Sequence, residues 1–114
     1  MNRDLDNMHS LLIAQHEALY EKLDTASDED TMQAILTEMR EIRHRIDLVQ
    51  NLLFRQTTQQ LTDAVKRVSN ADTQLTTALS SAQTAAAVVK GVSTFLALVD
   101  QAIDLAKTLA PLAA

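Results

Sequence analysis

The sequence predicts an all-α protein, and three observations support this. The chain of 114 residues has one glycine and one proline, so turn-rich β folds and collagen-like folds are excluded. Apolar residues make up 46 % of the chain, which is enough for a packed core. They recur at steps of three and four, which is the period of a helix. We therefore expect a single helical domain over residues 1–114, an antiparallel bundle of three helices in which two long helices form a hairpin, completed by oligomerisation.

The first helix is predicted over about residues 4–24. Its apolar side chains fall on one narrow stripe at helical spacing. Asp4 and Asp6 suit the positive N-terminal end of a helix, where acidic side chains are stabilising. The stripe consists of Leu5, Met8, Leu12, Leu19 and Leu23.

The second helix is predicted over about residues 29–68. Ser27 has an acidic residue, Asp30, three positions later, which is typical of a helix start. Apolar residues then alternate at steps of three and four over about three heptads, as in a coiled-coil seam. Because Gln56 and Gln60 fall where the seam would continue, this helix either runs on or kinks near these glutamines. The seam consists of Met32, Ile35, Met39, Ile42, Ile46, Val49 and Leu53.

The third helix is predicted over about residues 71–109. Ser69 and the acidic Asp72 resemble a second helix start, and the helix should end before the only proline. One continuous helix over residues 29–109 is the alternative, but its apolar face would then lack a compact neighbouring face to pack against. Small and polar residues dominate the region just after Asp72, where they either allow close helix approach or only keep the helix soluble.

The last predicted helix is too apolar for burial on one side. On a helical wheel of residues 85–110 the apolar arc covers roughly 200°, against about 100° for a helix buried on one face. The first two helices can cover one side, and the other side needs a second chain, a partner or a lipid surface. We therefore expect a partner interface, most simply in a dimer. Its predicted residues are Ile42, Ile46, Val49, Leu96, Val99, Ile103 and Leu109.

The charge of the chain argues against nucleic acid as a partner. The net charge is −5, and phosphate binding needs clustered Lys and Arg. A local basic group runs from Arg40 to Arg45. Glu38, Glu41 and Asp47 are interleaved with it, which is typical of ion pairs on a solvated helix face. We therefore expect no nucleic-acid binding.

The candidates for catalysis and metal binding are weak. The chain has no cysteine, so cysteine zinc sites, disulfides and cysteine nucleophiles are impossible. His9 and His16 lie about 10 Å apart along one helix, too far to chelate one metal ion. Glu41 and His44 have the Glu-x-x-His spacing of di-iron bundles, but only one copy exists. We expect no enzyme activity, no cofactor and no metal site.

The function that fits these observations is a non-catalytic protein–protein interaction module that buries apolar helix faces, as small adaptors, secretion-associated chaperones and immunity-type binding proteins do. The expected partner is another helical chain, and self-association and association with a different protein both stay open. The alternative is a membrane-surface or membrane-active protein that uses the last helix. No secretion signal and no apolar stretch of about 20 residues is evident, so we expect a cytoplasmic protein.

Overall fold

The computed structural model describes residues 1–112, and within them the chain forms four α-helices. A short 3-10 helix at Leu23–Thr25 follows the first of them. The all-α class is therefore confirmed, whereas the count of three helices is wrong. The helices are α1 (Arg3–Lys22), α2 (Glu29–Gln50), α3 (Gln59–Ser81) and α4 (Ala85–Lys107).

The helices pack as two antiparallel hairpins laid against each other. α1 pairs with α2 and α3 pairs with α4, while α1 also packs on α3 and α2 on α4. The side chain of Asp4 meets Thr62 and that of Gln15 meets Thr76, so residue numbers rise together along α1 and α3. These two helices are therefore parallel. The bundle is elongated and measures 50 × 21 × 17 Å.

One apolar core runs along the axis of the bundle, and α4 contributes the largest share of it. Phe95 is the largest of the fully buried side chains. The buried face of α4 agrees with the apolar face expected from the sequence. Its buried residues are Val88, Val92, Phe95, Leu96, Val99, Ala102, Ile103 and Ala106.

The predicted second helix over residues 29–68 is wrong in its second half. α2 ends at Gln50, and α3 begins at Gln59. The hydroxyl of Thr58 caps α3 by accepting a hydrogen bond from the backbone N–H of Leu61 at 3.2 Å. The break lies beside Gln56 and Gln60, where the sequence predicts either a continuous helix or a kink.

The residue before α1 and the segment after α4 hold the connector between α2 and α3 in place. The N–H of Asn2 donates to the carbonyl of Leu53 at 2.7 Å, and the N–H of Gln56 donates to the carbonyl of Ala110 at 2.7 Å. These partners lie more than 50 positions away in the sequence. Local sequence patterns therefore could not reveal that the backbone of the connector is paired outside a helix.

The predicted third helix over residues 71–109 starts in the wrong place. Asp72 lies inside α3, which continues to Ser81, and the true break precedes α4. The apolar face runs unbroken through Asp72, because Ala71 and Leu75 are both buried. The hydroxyl of Thr84 caps the new helix by accepting from the N–H of Ala87 at 3.2 Å.

The predicted start of the second helix is confirmed to within a residue. α2 begins at Glu29, and the carboxylate of Asp28, rather than Ser27, caps it. Asp28 accepts a hydrogen bond from the N–H of Thr31 at 2.7 Å. This hydrogen bond favours the ionised carboxylate and lowers the pKa of Asp28.

By length and composition, α4 could cross a membrane. A window of 18 residues within Ala85–Lys107 has a mean hydropathy of 1.5. This helix corrects the expectation that no apolar stretch of about 20 residues is present. Core helices of bundles meet the same criterion, and in this bundle the large apolar side chains of α4 mostly face the core.

Candidate functional site

Most of the predicted interface residues lie inside the bundle. Ile46 and Leu109 are partly buried against the core, and the other five are buried within it. α3 covers much of the face of α4 for which a second chain was expected. A partner of the closed bundle must therefore meet other side chains. The five buried residues are Ile42, Val49, Leu96, Val99 and Ile103.

An open apolar groove lies between α3 and α4, toward the end of the bundle where the two helices join. Its volume is about 400 Å³. Leu75 and Phe95 lie buried beneath it. The polar side chains of Gln74, Lys90 and Thr94 are exposed around it. We call it the α3–α4 groove. Its other lining residues are Ala71, Ala78, Ser81, Ala82, Gln83, Ala87 and Gly91.

Gly91 lies on α4 at the edge of this groove and faces α3. A Cβ atom on Gly91 would lie 3.4 Å from Leu75 Cδ1 and 3.8 Å from Ala78 Cβ, which is ordinary van der Waals contact. Larger side chains at Gly91 would project into the groove, so this position controls its volume.

A second groove, of about 390 Å³, lies on the other flank of α4, against α2. Arg45 joins the two helices there: its Nε donates to Asp100 Oδ1 and its Nη2 to Asp100 Oδ2, both at 3.1 Å. Arg45 also pairs with Glu41 on its own helix, which the sequence had suggested for this charged segment. We call it the α2–α4 groove. Its lining residues are Thr37, Glu38, Glu41, Arg45, Ser93, Leu96, Ala97 and Asp100.

Glu38 is the buried acid of this second groove. Only 7 % of its surface is exposed, although the sequence placed it on a solvated face. Burial is the main cause that raises the pKa of its carboxyl, and the nearby charge of Glu41 adds to it, whereas Arg45 acts the other way. A signal for this burial is present in the sequence. Thr31, Glu38 and Arg45 are spaced by seven residues, and each directly precedes a residue of the apolar seam, so they share one face of α2 beside it.

Some large apolar side chains are exposed outside the two grooves. Tyr20 is 63 % exposed on α1, and Met32 is 43 % exposed on α2. Met32 belonged to the predicted seam of the second helix. α2 is in fact turned so that Ile35, Ile42 and Val49 face the axis, because both α1 and α4 pack against it. These three residues belong to the predicted seam, which is therefore buried in part, whereas Met32 lies exposed at its edge.

The histidines lie apart from one another, and no group of three potential metal ligands occurs within residues 1–112. His44 is exposed, and Glu41 of the Glu-x-x-His pair is engaged by Arg45. His9 and His16 are partly buried beside the core. Burial, followed by the charge of Arg43, lowers the pKa of His16.

No protein-family model, no curated protein and no solved structure matches this chain. The functional proposal therefore depends on the surfaces of the bundle.

Proposed function

We propose that this protein is a non-catalytic helical protein–protein interaction module, of the adaptor, chaperone-like or immunity type. The α3–α4 groove is the observation that carries the proposal. It is apolar and open to solvent, and polar side chains surround it, as at grooves that accept an amphipathic helix. The expected partner is another helical chain, which would lay an apolar ridge over Ala78, Ala87 and Gly91, the apolar residues of the groove that solvent reaches.

The mechanism of this module would be burial of apolar surface without bond making or breaking. A partner helix would bury its anchors in the groove at spacings of three and four residues. Gln74, Lys90 and Thr94 would form a polar rim that fixes the orientation of the partner. A second copy of the chain and a different helical protein are both candidates for this position.

Substitutions at Gly91 test the proposal, because they change the groove without changing charge. Gly91→Leu should fill the groove and abolish partner capture, whereas Gly91→Ala should preserve it. The measurement is affinity capture with each tagged variant, followed by titration calorimetry with the purified captured protein. Circular dichroism checks that both variants are folded. A partner that binds the two variants equally would contradict the role of the groove.

Light scattering over a concentration series gives the absolute mass of the protein. This mass distinguishes self-association from binding of a different protein. A dimer that Gly91→Leu dissociates and Gly91→Ala does not would identify a second copy as the occupant of the groove. A monomer at all concentrations would leave a different protein as the occupant. A dimer that is insensitive to both substitutions would place the self-association surface elsewhere on the bundle.

A membrane-surface function is the second candidate, and the apolar character of α4 favours it. The bundle would have to open, because the large apolar side chains of this helix mostly face the core. Co-sedimentation with liposomes tests this alternative. Binding that increases when the bundle is destabilised would support it, and absence of binding under both conditions would contradict it.

A further inference from the structure

The α2–α4 groove holds a buried carboxylate whose charge is not matched. Glu38 is 7 % exposed, and within residues 1–112 no donor or cation is placed to bond it. The carboxylate oxygens are not among the buried atoms without a partner in residues 1–112, so they meet solvent through the groove. An ionised carboxylate with so little exposure is less well solvated than a free one, and a cation can compensate it. The side chain of Glu38 lines the groove, so a ligand that enters the groove can reach it.

The one cation in this groove is already engaged. The guanidinium of Arg45 binds Glu41 and both carboxylate oxygens of Asp100. Three carboxylates thus line the groove together with one guanidinium, and Glu38 is the one that receives no hydrogen bond from it. With all four groups ionised the groove is negative, and it attracts a further positive charge.

The chemistry of the walls indicates what kind of positive charge fits. The described residues contain no group of three ligands for a metal ion. Leu96 and Ala97 supply apolar surface along the groove, and Thr37 and Ser93 supply hydroxyl groups. An alkyl chain that ends in an ammonium matches this combination, because lysine buries its methylene groups and keeps its charge at the tip.

We infer that the α2–α4 groove binds a lysine side chain of a partner protein, with Glu38 as the carboxylate that accepts hydrogen bonds from the ammonium group. The methylene groups would lie over Leu96 and Ala97. This inference goes beyond the proposed function, because it concerns the opposite flank of α4. It stands even if no helix binds the α3–α4 groove.

The experiment is a titration of the isotopically labelled full-length protein with N-acetyl-lysine methylamide, followed by NMR. The side-chain carboxyl resonance of Glu38 and the amides of Ser93 and Ala97 should shift saturably. N-acetyl-norleucine methylamide has the same carbon chain without the ammonium and should cause no such shift. Equal shifts with both probes, or no saturable shift with either, would overturn the inference.

Three variants separate a specific site from general attraction to an acidic protein. Glu38→Gln should weaken binding of the lysine probe by about tenfold, because the charged acceptor is lost. Asp47→Asn removes the same charge from an exposed position of α2, and it should weaken binding by less than about twofold. Ala97→Gln should block the groove without a change in charge. Equal weakening by the Glu38 and Asp47 variants would show non-specific attraction and overturn the inference.

Discussion

Gln15 and Asp72 are joined by a hydrogen bond of 2.8 Å, in which the amide Nε2 of the buried glutamine donates to the carboxylate Oδ1 of the aspartate. The same nitrogen also lies 3.0 Å from Thr76 Oγ1. The bond links α1 to α3 across a parallel contact. It is a polar contact in an otherwise apolar region, so it sets the relative position of the two helices along the axis of the bundle.

The first prediction concerns this bond. Asp72→Ala should lower the free energy of unfolding by about 1–2 kcal/mol, because a buried amide loses its charged acceptor. In a Gln15→Leu background the same change should cost much less, since no buried donor is left. Urea denaturation of the two single variants and the double variant measures the coupling between the two sites. Additive losses would contradict the contact.

The second prediction concerns the bridge between α2 and α4. Asp100→Asn should destabilise the bundle by about 1 kcal/mol at low ionic strength, since Arg45 loses its bidentate partner. The loss should shrink in 1 M salt, where screening acts over about 3 Å. Asp104→Asn on the exposed side of the same helix is the matched control. A loss that is independent of salt would argue against an electrostatic origin.

The third prediction concerns the dependence of stability on pH. The folded-state pKa of Glu38 is raised, so the neutral carboxyl is favoured in the bundle, and the stability it contributes is lost as the pH rises through that pKa. Glu38→Gln should therefore raise the melting temperature at pH 7. Below the ordinary glutamate pKa of 4.5 the two proteins should have similar stabilities. Thermal denaturation over this pH range checks both statements, and an equal difference at all pH values would contradict them.

The fourth prediction concerns the connector between α2 and α3. Truncation after Leu109 removes the carbonyl of Ala110, which accepts the N–H of Gln56 at 2.7 Å. Hydrogen exchange at Gln56 should then accelerate toward the rate of an unprotected amide. The amide of Asn2, which donates to Leu53, is the internal control, because its partner is retained. Unchanged exchange at Gln56 would show that its protection has another source.

The fifth prediction concerns the cap of α4. Thr84→Ala should lower the free energy of unfolding by about 0.5–2 kcal/mol, because the N–H of Ala87 loses its side-chain acceptor. Thr77→Ala is the control: it removes a hydroxyl from an exposed position toward the C-terminal end of α3, where alanine is the better helix former. Denaturant midpoints compare the two variants. Equal midpoints would mean that the Thr84 cap does not stabilise the helix.

The sequence predicts the helical class and the core face of α4 because helical periodicity is a local signal. It places the break before α2 correctly and misses the two later breaks. The caps at Thr58 and Thr84 lack an acid three positions on, whereas Ser69 and Asp72 imitate a stronger start. The carboxylate of Asp72 is instead occupied by Gln15, a partner 57 positions away. Long-range contacts of this kind decide between equally plausible local patterns.

The grooves were not predictable for the same reason. Each is formed by two helices whose contact depends on where the chain turns. Glu38 looked like one of several solvated acids, because its burial comes from α4 and not from its own helix. Most of the predicted interface residues lie on α2 and α4 but are buried in the core. Leu96 is the one that also lines a groove.

The hydrogen bonds of the connector also determine how this bundle can be tethered. The N–H groups of Asn2 and Leu112 donate to the carbonyls of Leu53 and Phe54, which are adjacent in the chain. A label, a surface or a fused domain attached near Asn2 or near Leu112 would therefore lie at the same end of the bundle. The turn at Ala82 lies at the opposite pole of a body that is 50 Å long. A tether at Asn2 or Leu112 would thus leave the α3–α4 groove at the far end of the bundle, pointing away from the attachment point. A short loop that joins these two segments would permit a circular permutation of the chain.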